Sequence, residues 1–155
     1  MSAPVAATSP APRIDPALPA WVASRAAGFL AEAPFHRWAG LELVALEPGR
    51  AELGFRATEP LLVPGGYVHG GILNALLEPA ALFALLGHLQ ESENAVTIDI
   101  HVQHMKSVPA GAAVALIGRL KRRGRSLAFC EAEAILDGVV CTAAQITKTI
   151  QAKVS

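Results

Sequence analysis

The stretch from His69 to Leu89 is the one long helical pattern in this chain, and it limits what everything around it can fold into. Ile72, Leu73, Leu76, Leu77, Ala80, Phe83 and Ala84 recur at intervals of three and four, as on one buried helix face. The flanking segments alternate instead. "LELVALEPGRAELGFRA" (41–57) holds two short alternating runs about Pro48-Gly49, a turn signal, and reads as a β-hairpin. After the polar break "QESEN", segments 95–105, 112–123, 126–136 and 139–150 read as strands, joined at "VPAG", "RGR" and "DG". A shorter helix is expected within 19–33, with Pro19 in front of it. A single helix that is apolar along most of its length must be wrapped by sheet. The pattern therefore predicts an α+β domain with a mostly antiparallel sheet around one central helix.

The chain has 155 residues, enough for one domain, and 52% of them are hydrophobic, ample for a packed core. Lys+Arg and Asp+Glu are both 13, so bulk charge does not point to nucleic acid or a membrane surface. The longest uncharged run, Leu61 to Leu77, contains Pro64 and four glycines and makes a poor membrane span. Residues 1–19, rich in Ala, Pro and Ser, lack a basic start followed by an apolar block; a flexible tail is expected there, ahead of one domain over 20–150. Cys130 and Cys141 lie in apolar strand-like runs and are expected as two buried thiols in a cytoplasmic protein rather than as a disulfide.

Chemistry concentrates in "YVHGGILNALLEP" (67–79). Gly70 and Gly71 sit where loop becomes helix, and the first N–H groups of a helix have no intrahelical partner. Glycine lets a ligand approach that bare backbone, so this end can hold an anion or a developing oxyanion. Glu78 is the only formally charged residue from Leu61 to Gln90. Buried and unpaired, it would cost several kcal/mol or titrate upward, which marks it as a candidate nucleophile or general base. Gly70 and Glu78 are eight residues apart, roughly 12 Å along a helix, too far to act on one carbonyl carbon. Either they are unrelated, or two copies of the helix lie antiparallel across a twofold dimer, Gly70 of one chain meeting Glu78 of the other.

"VHGGILNALLE" resembles the helix signature of acyl-CoA thioesterases of the phenylacetate-degradation type, a hotdog-fold family. "TIDIHVQHMKSVPAG" and "GRLKRRGRSLAFCEAEAILDGVVCTAA" extend the resemblance, which covers residues 35 to 150. It implies a curved sheet wrapped around the helix, a homodimer or homotetramer, and an acyl-CoA substrate with no separate cofactor. It implies Glu78 as the carboxylate that attacks the thioester or activates water, Gly70 as oxyanion donor with His69 beside it shaping the helix entry, and Gly71 and position 63 among the substrate-binding residues. Thr97 falls where the family often has a hydroxyl that helps hold the water. The family's Asn or Gln six residues before the His falls at Val63, and neither amide occurs between Trp38 and Tyr67. Pro79, which removes a helical N–H and disfavours helical geometry at Glu78, is a second departure.

"RLKRRGR" gathers Arg119, Lys121, Arg122, Arg123 and Arg125 around one turn. It is read either as a solvated edge-protecting turn or as a contact for coenzyme A phosphates, with Arg122, Arg123 and Arg125 favoured. His101 and His104, three apart on a strand, face opposite ways and do not make a metal pair. Trp38 is expected as core or pocket wall. Two other functions compete with thioester hydrolysis: binding of acyl-CoA without efficient turnover, and hydration or dehydration of an acyl-CoA on the same fold.

Overall fold

Turn chemistry and apolar period together set the order of the elements. In the computed structural model, which describes residues 10–153, the chain runs β1 (Arg13–Ile14), α1 (Ala20–Glu32), α2 (Pro34–Ala39), β2 (Glu42–Glu47), β3 (Arg50–Arg56), β4 (Leu62–Val63), β5 (Tyr67–Val68), α3 (Gly70–Leu86), β6 (Glu93–His104), β7 (Ala113–Arg123), β8 (Leu127–Leu136) and β9 (Val139–Ala152). Gly49 follows Pro48 with φ of 79°, the glycine position of a two-residue turn from β2 to β3. Asp137 and Gly138 both have positive φ, 51° and 76°, and join β8 to β9 by the turn whose twist suits a hairpin.

The main sheet has the order β1-β2-β3-β7-β8-β9-β6 and is antiparallel except where β1 lies parallel to β2. The second half of α3 is buried all round, from Pro79 to Leu86, and the helix packs chiefly on β7 and β8. Leu76, Leu77, Phe83 and Leu85 meet Leu53, Leu116 and Ile146 in the core. Each such side chain contributes ~1.5–3 kcal/mol by leaving water. The close approach of helix to sheet depends on Gly118 in β7, where an added Cβ would lie 1.9 Å from the carbonyl oxygen of Ala80.

Some features differ from the sequence expectation. Residues 13–18 do not belong to a tail: Arg13 and Ile14 pair with Ala45 and Leu46, the Asp15 N–H donates to the Leu46 carbonyl, and Leu18 is buried. The rest of the expected tail, residues 1–9, lies outside the described residues. Next, α2 is a helix that the apolar period did not reveal. Pro34 starts it, and Gly40, at φ of 65°, ends it. Trp38, carried on α2, is 49% exposed, with its ring leaning on Phe35 rather than in the core. The expected long helix is present as α3, which continues through Pro79 as one helix. Cys130 and Cys141 are free and buried, and burial pushes the Cys130 thiol up to about 11 against the opposing charge of Lys148.

Candidate active site

The start of α3 distributes its free N–H groups unevenly. His69 is the cap, and its Nδ1 accepts the N–H of Gly71 at 2.9 Å, which puts the ring proton on Nε2. The His69 carbonyl accepts the N–H of Ile72 at 2.9 Å and that of Leu73 at 3.4 Å. Gly70, the first helical residue, has an N–H with no intrahelical acceptor to reach. Beside it the His104 ring closes one wall, with Nε2 3.2 Å from where a Cβ on Gly70 would stand and Nδ1 3.1 Å from the buried Thr142 hydroxyl. Val68, Leu73, Lys106 and Val108 complete the cleft at this end of the helix.

Two turns along, Glu78 is not the unpaired carboxylate that its apolar surroundings suggested. Its Oε1 accepts a short hydrogen bond from the Lys148 ammonium and one of 2.5 Å from the Thr97 hydroxyl, while Lys148 also donates to Thr97 Oγ1 at 2.7 Å. Lys148 is fully buried, whereas the Glu78 side chain stays 32% exposed. Burial pushes the Glu78 carboxyl up, but the Lys148 charge, the hydrogen bonds from Lys148 and Thr97, and the charge of His36 outweigh it. The carboxyl is held below its ordinary value. Because Glu78 is paired, neither the cost nor the upward titration of an unpaired buried carboxylate arises.

Thr97 lies on β6 as expected, beside Glu78, but its single O–H is spent on the carboxylate. Toward a water molecule it offers only its remaining lone pair. The sequence reading missed Lys148 and weighed His104 only as half of a metal pair. For Lys148 a signal was present: β9 alternates, and Ile146, Lys148 and Ile150 share one face, so a lysine sits in an apolar row. His36 also escaped notice; it is buried on α2 and donates to the Phe29 carbonyl at 3.2 Å.

The basic turn is largely committed to neighbouring strands. Arg119 pairs with Glu133 at 2.8 Å, Lys121 with Glu131 at 3.2 Å, and Arg123 with Glu93 at 2.7 Å. Arg122 and Arg125 are exposed and outside these pairs, so of the three arginines favoured from sequence only Arg123 is already engaged. Val63 is half-buried in the β4–β5 ribbon opposite Tyr67, its carbonyl accepting the Gly66 N–H.

A thioesterase superfamily model matches residues 65–143, a span that contains α3, β6, β7 and β8 entire. The chain belongs to the thioesterase superfamily. Its fold is the hotdog fold that the helix signature implies, and solved structures superpose on it closely. A thioesterase from Haemophilus influenzae matches with a TM-score of 0.76 at 21% identity, covering 83% of this chain and 90% of that one. A phenylacetic acid degradation-related putative thioesterase from Ralstonia eutropha matches with a TM-score of 0.71 at 26% identity, covering 80% and 98%. A curated relative, the 1,4-dihydroxy-2-naphthoyl-CoA hydrolase of Listeria monocytogenes, is 33% identical over 76 residues, 49% of this chain and 62% of that protein. In this thioesterase superfamily member the matched span includes Gly70, Glu78 and Thr97, while Lys148 lies beyond its end.

Proposed function

We propose that this chain hydrolyses an acyl- or aryl-CoA thioester to the free acid and coenzyme A. The observation that carries the reading is one helix bearing both an unspent N–H at Gly70 and an ionised, partly exposed carboxylate at Glu78. The CoA hydrolase named among its relatives supplies the substrate class. The carbonyl carbon of the thioester is attacked either by a water whose proton passes to Glu78, or by Glu78 itself with water then releasing the acyl group. In both, the carbonyl oxygen takes negative charge beside the Gly70 N–H. The C–S bond then breaks, its electron pair leaves with sulfur, and the thiolate takes up a proton. The chemistry requires no further cofactor.

Because α3 is unbroken from Gly70 to Leu86, the roughly 12 Å between donor and carboxylate persists, and one chain does not supply both to one carbon. We therefore assign Gly70 and His69 of one protomer and Glu78 and Thr97 of its partner to each site of a twofold dimer. The exposed heads of Arg122 and Arg125 are the phosphate contacts this reading favours. Thiol release from a panel of acyl- and aryl-CoA thioesters tests it. Glu78→Gln should lower turnover of the best substrate by at least about 100-fold, and equal turnover would refute the assignment.

The absence of an amide at Val63 favours a second reading, an acyl-CoA-binding protein with little turnover. Calorimetric binding of CoA thioesters without thiol release in the same panel would decide for it.

A further inference from the structure

Lys148 is the one charged side chain among the described residues that is fully buried, and the reaction as written makes no use of it. It has no access to a substrate. Its ammonium meets Glu78 Oε1 and Thr97 Oγ1, and Thr97 turns its own hydroxyl on to that same Oε1. One carboxylate oxygen therefore carries two donors from two strands, β9 and β6. With the Glu78 side chain 32% exposed, the other oxygen, Oε2, is the one free of these partners.

We propose that Lys148 is a positioning residue which, together with Thr97, fixes the Glu78 carboxylate so that Oε2 alone faces the substrate. This deepens the thioesterase reading and rests on it for the substrate. The groups facing Glu78 are Lys148 from β9, the neutral Thr97 from β6 and His36 from α2. Cys130 on β8 feels the Lys148 charge but remains a thiol. Of these, Lys148 is the largest favourable influence on the carboxylate, followed in turn by Thr97 and His36. A Coulomb partner at hydrogen-bond distance inside a partly buried site is worth about one to three pH units to a carboxyl.

The test compares wild type with Lys148→Met, which keeps length and burial, and Lys148→Arg, which keeps charge. In kcat/KM profiles for thioester hydrolysis, the acid limb of Lys148→Met should move up by about one pH unit or more. kcat should fall about tenfold with KM nearly unchanged, because no substrate contact is removed. Lys148→Arg should hold the wild-type limb. A second readout does not depend on turnover: titration of the Glu78 carboxyl by 13C NMR, its signal identified by its loss in Glu78→Gln. That carboxyl should titrate about a unit higher in Lys148→Met than in wild type. An unmoved carboxyl in folded Lys148→Met overturns the proposal, whereas a moved carboxyl without thioester turnover in wild type overturns the hydrolysis reading alone.

Discussion

A carboxylate on an apolar helix needs a counter-charge, and here it arrives from 70 residues further along the chain. That distance explains why Glu78 was legible from sequence and its state was not. A lone charge in an uncharged run is visible in one dimension, but the partner that ionises it is found only when β9 is laid beside the helix. The pairing also governs what substitutions cost. Glu78→Gln leaves the buried Lys148 ammonium without a charge partner, and stability should fall by about 3 kcal/mol. Lys148→Met should cost less, since the partly exposed Glu78 can recruit water. Removing both ends at once relieves the uncompensated charge, so the double variant should be more stable than the sum of the single losses implies, by about 1 kcal/mol or more. Urea unfolding of the four proteins measures this, and strict additivity would show that the two groups do not interact. The same fragility means that loss of activity in Glu78→Gln has to be measured where the variant is folded.

Among the elements, α3 is the one most strongly specified by its own residues and also the one most dependent on a neighbour. Its apolar period runs through Pro79 without a break, because burial of Pro79, Ala80 and Phe83 against the sheet outweighs the hydrogen bond the proline forgoes. In contrast, α2 is six residues long, too short for a period to show, and only its Pro34 and Gly40 marked its ends. β1 is two residues in a Pro- and Ala-rich stretch, and nothing local distinguishes it from tail; it exists because β2 offers an edge. Nor could any local signal find Gly118, whose reason is the Ala80 backbone lying across it. An added methyl there would meet the Ala80 carbonyl oxygen at 1.9 Å and its carbon at 2.3 Å, backbone that cannot rotate away. Gly118→Ala should therefore destabilise the protein by about 3 kcal/mol or prevent folding. Gly28→Ala, in the middle of α1 with only the Glu32 carboxylate at 3.7 Å, should stabilise by about 0.5–1 kcal/mol. Thermal melts separate the two, and a Gly118→Ala melt like that of wild type would mean the helix can withdraw from β7.

At the scale of the whole molecule, the sheet among the described residues ends on β6, a 12-residue strand with one edge unpaired there, on which Val96, Ile98 and Ile100 are 45%, 58% and 38% exposed. A long apolar edge of this kind invites pairing with another chain. The same strand carries Thr97, so partner pairing there would bring the carboxylate site to the boundary between copies. A mixing experiment decides whether the site is shared. In the shared site proposed for this chain, Glu78→Gln would disable one half of each site and leave Gly70 intact. Gly70→Pro would disable the other half: proline suits the first position of a helix, and residue 69 is already extended, so the change deletes the N–H while sparing the helix, with the His104 ring giving way by a few tenths of an ångström to the new Cβ. Each variant alone should be nearly inactive. In a hybrid dimer, one site receives both lesions and the other receives neither. Equal mixing after unfolding and refolding should therefore restore about a quarter of wild-type turnover, since about half the dimers are hybrid and each has one intact site. If Gly70 and Glu78 served the same site from within one chain, every chain in the mixture would still carry a lesion, and no activity would return.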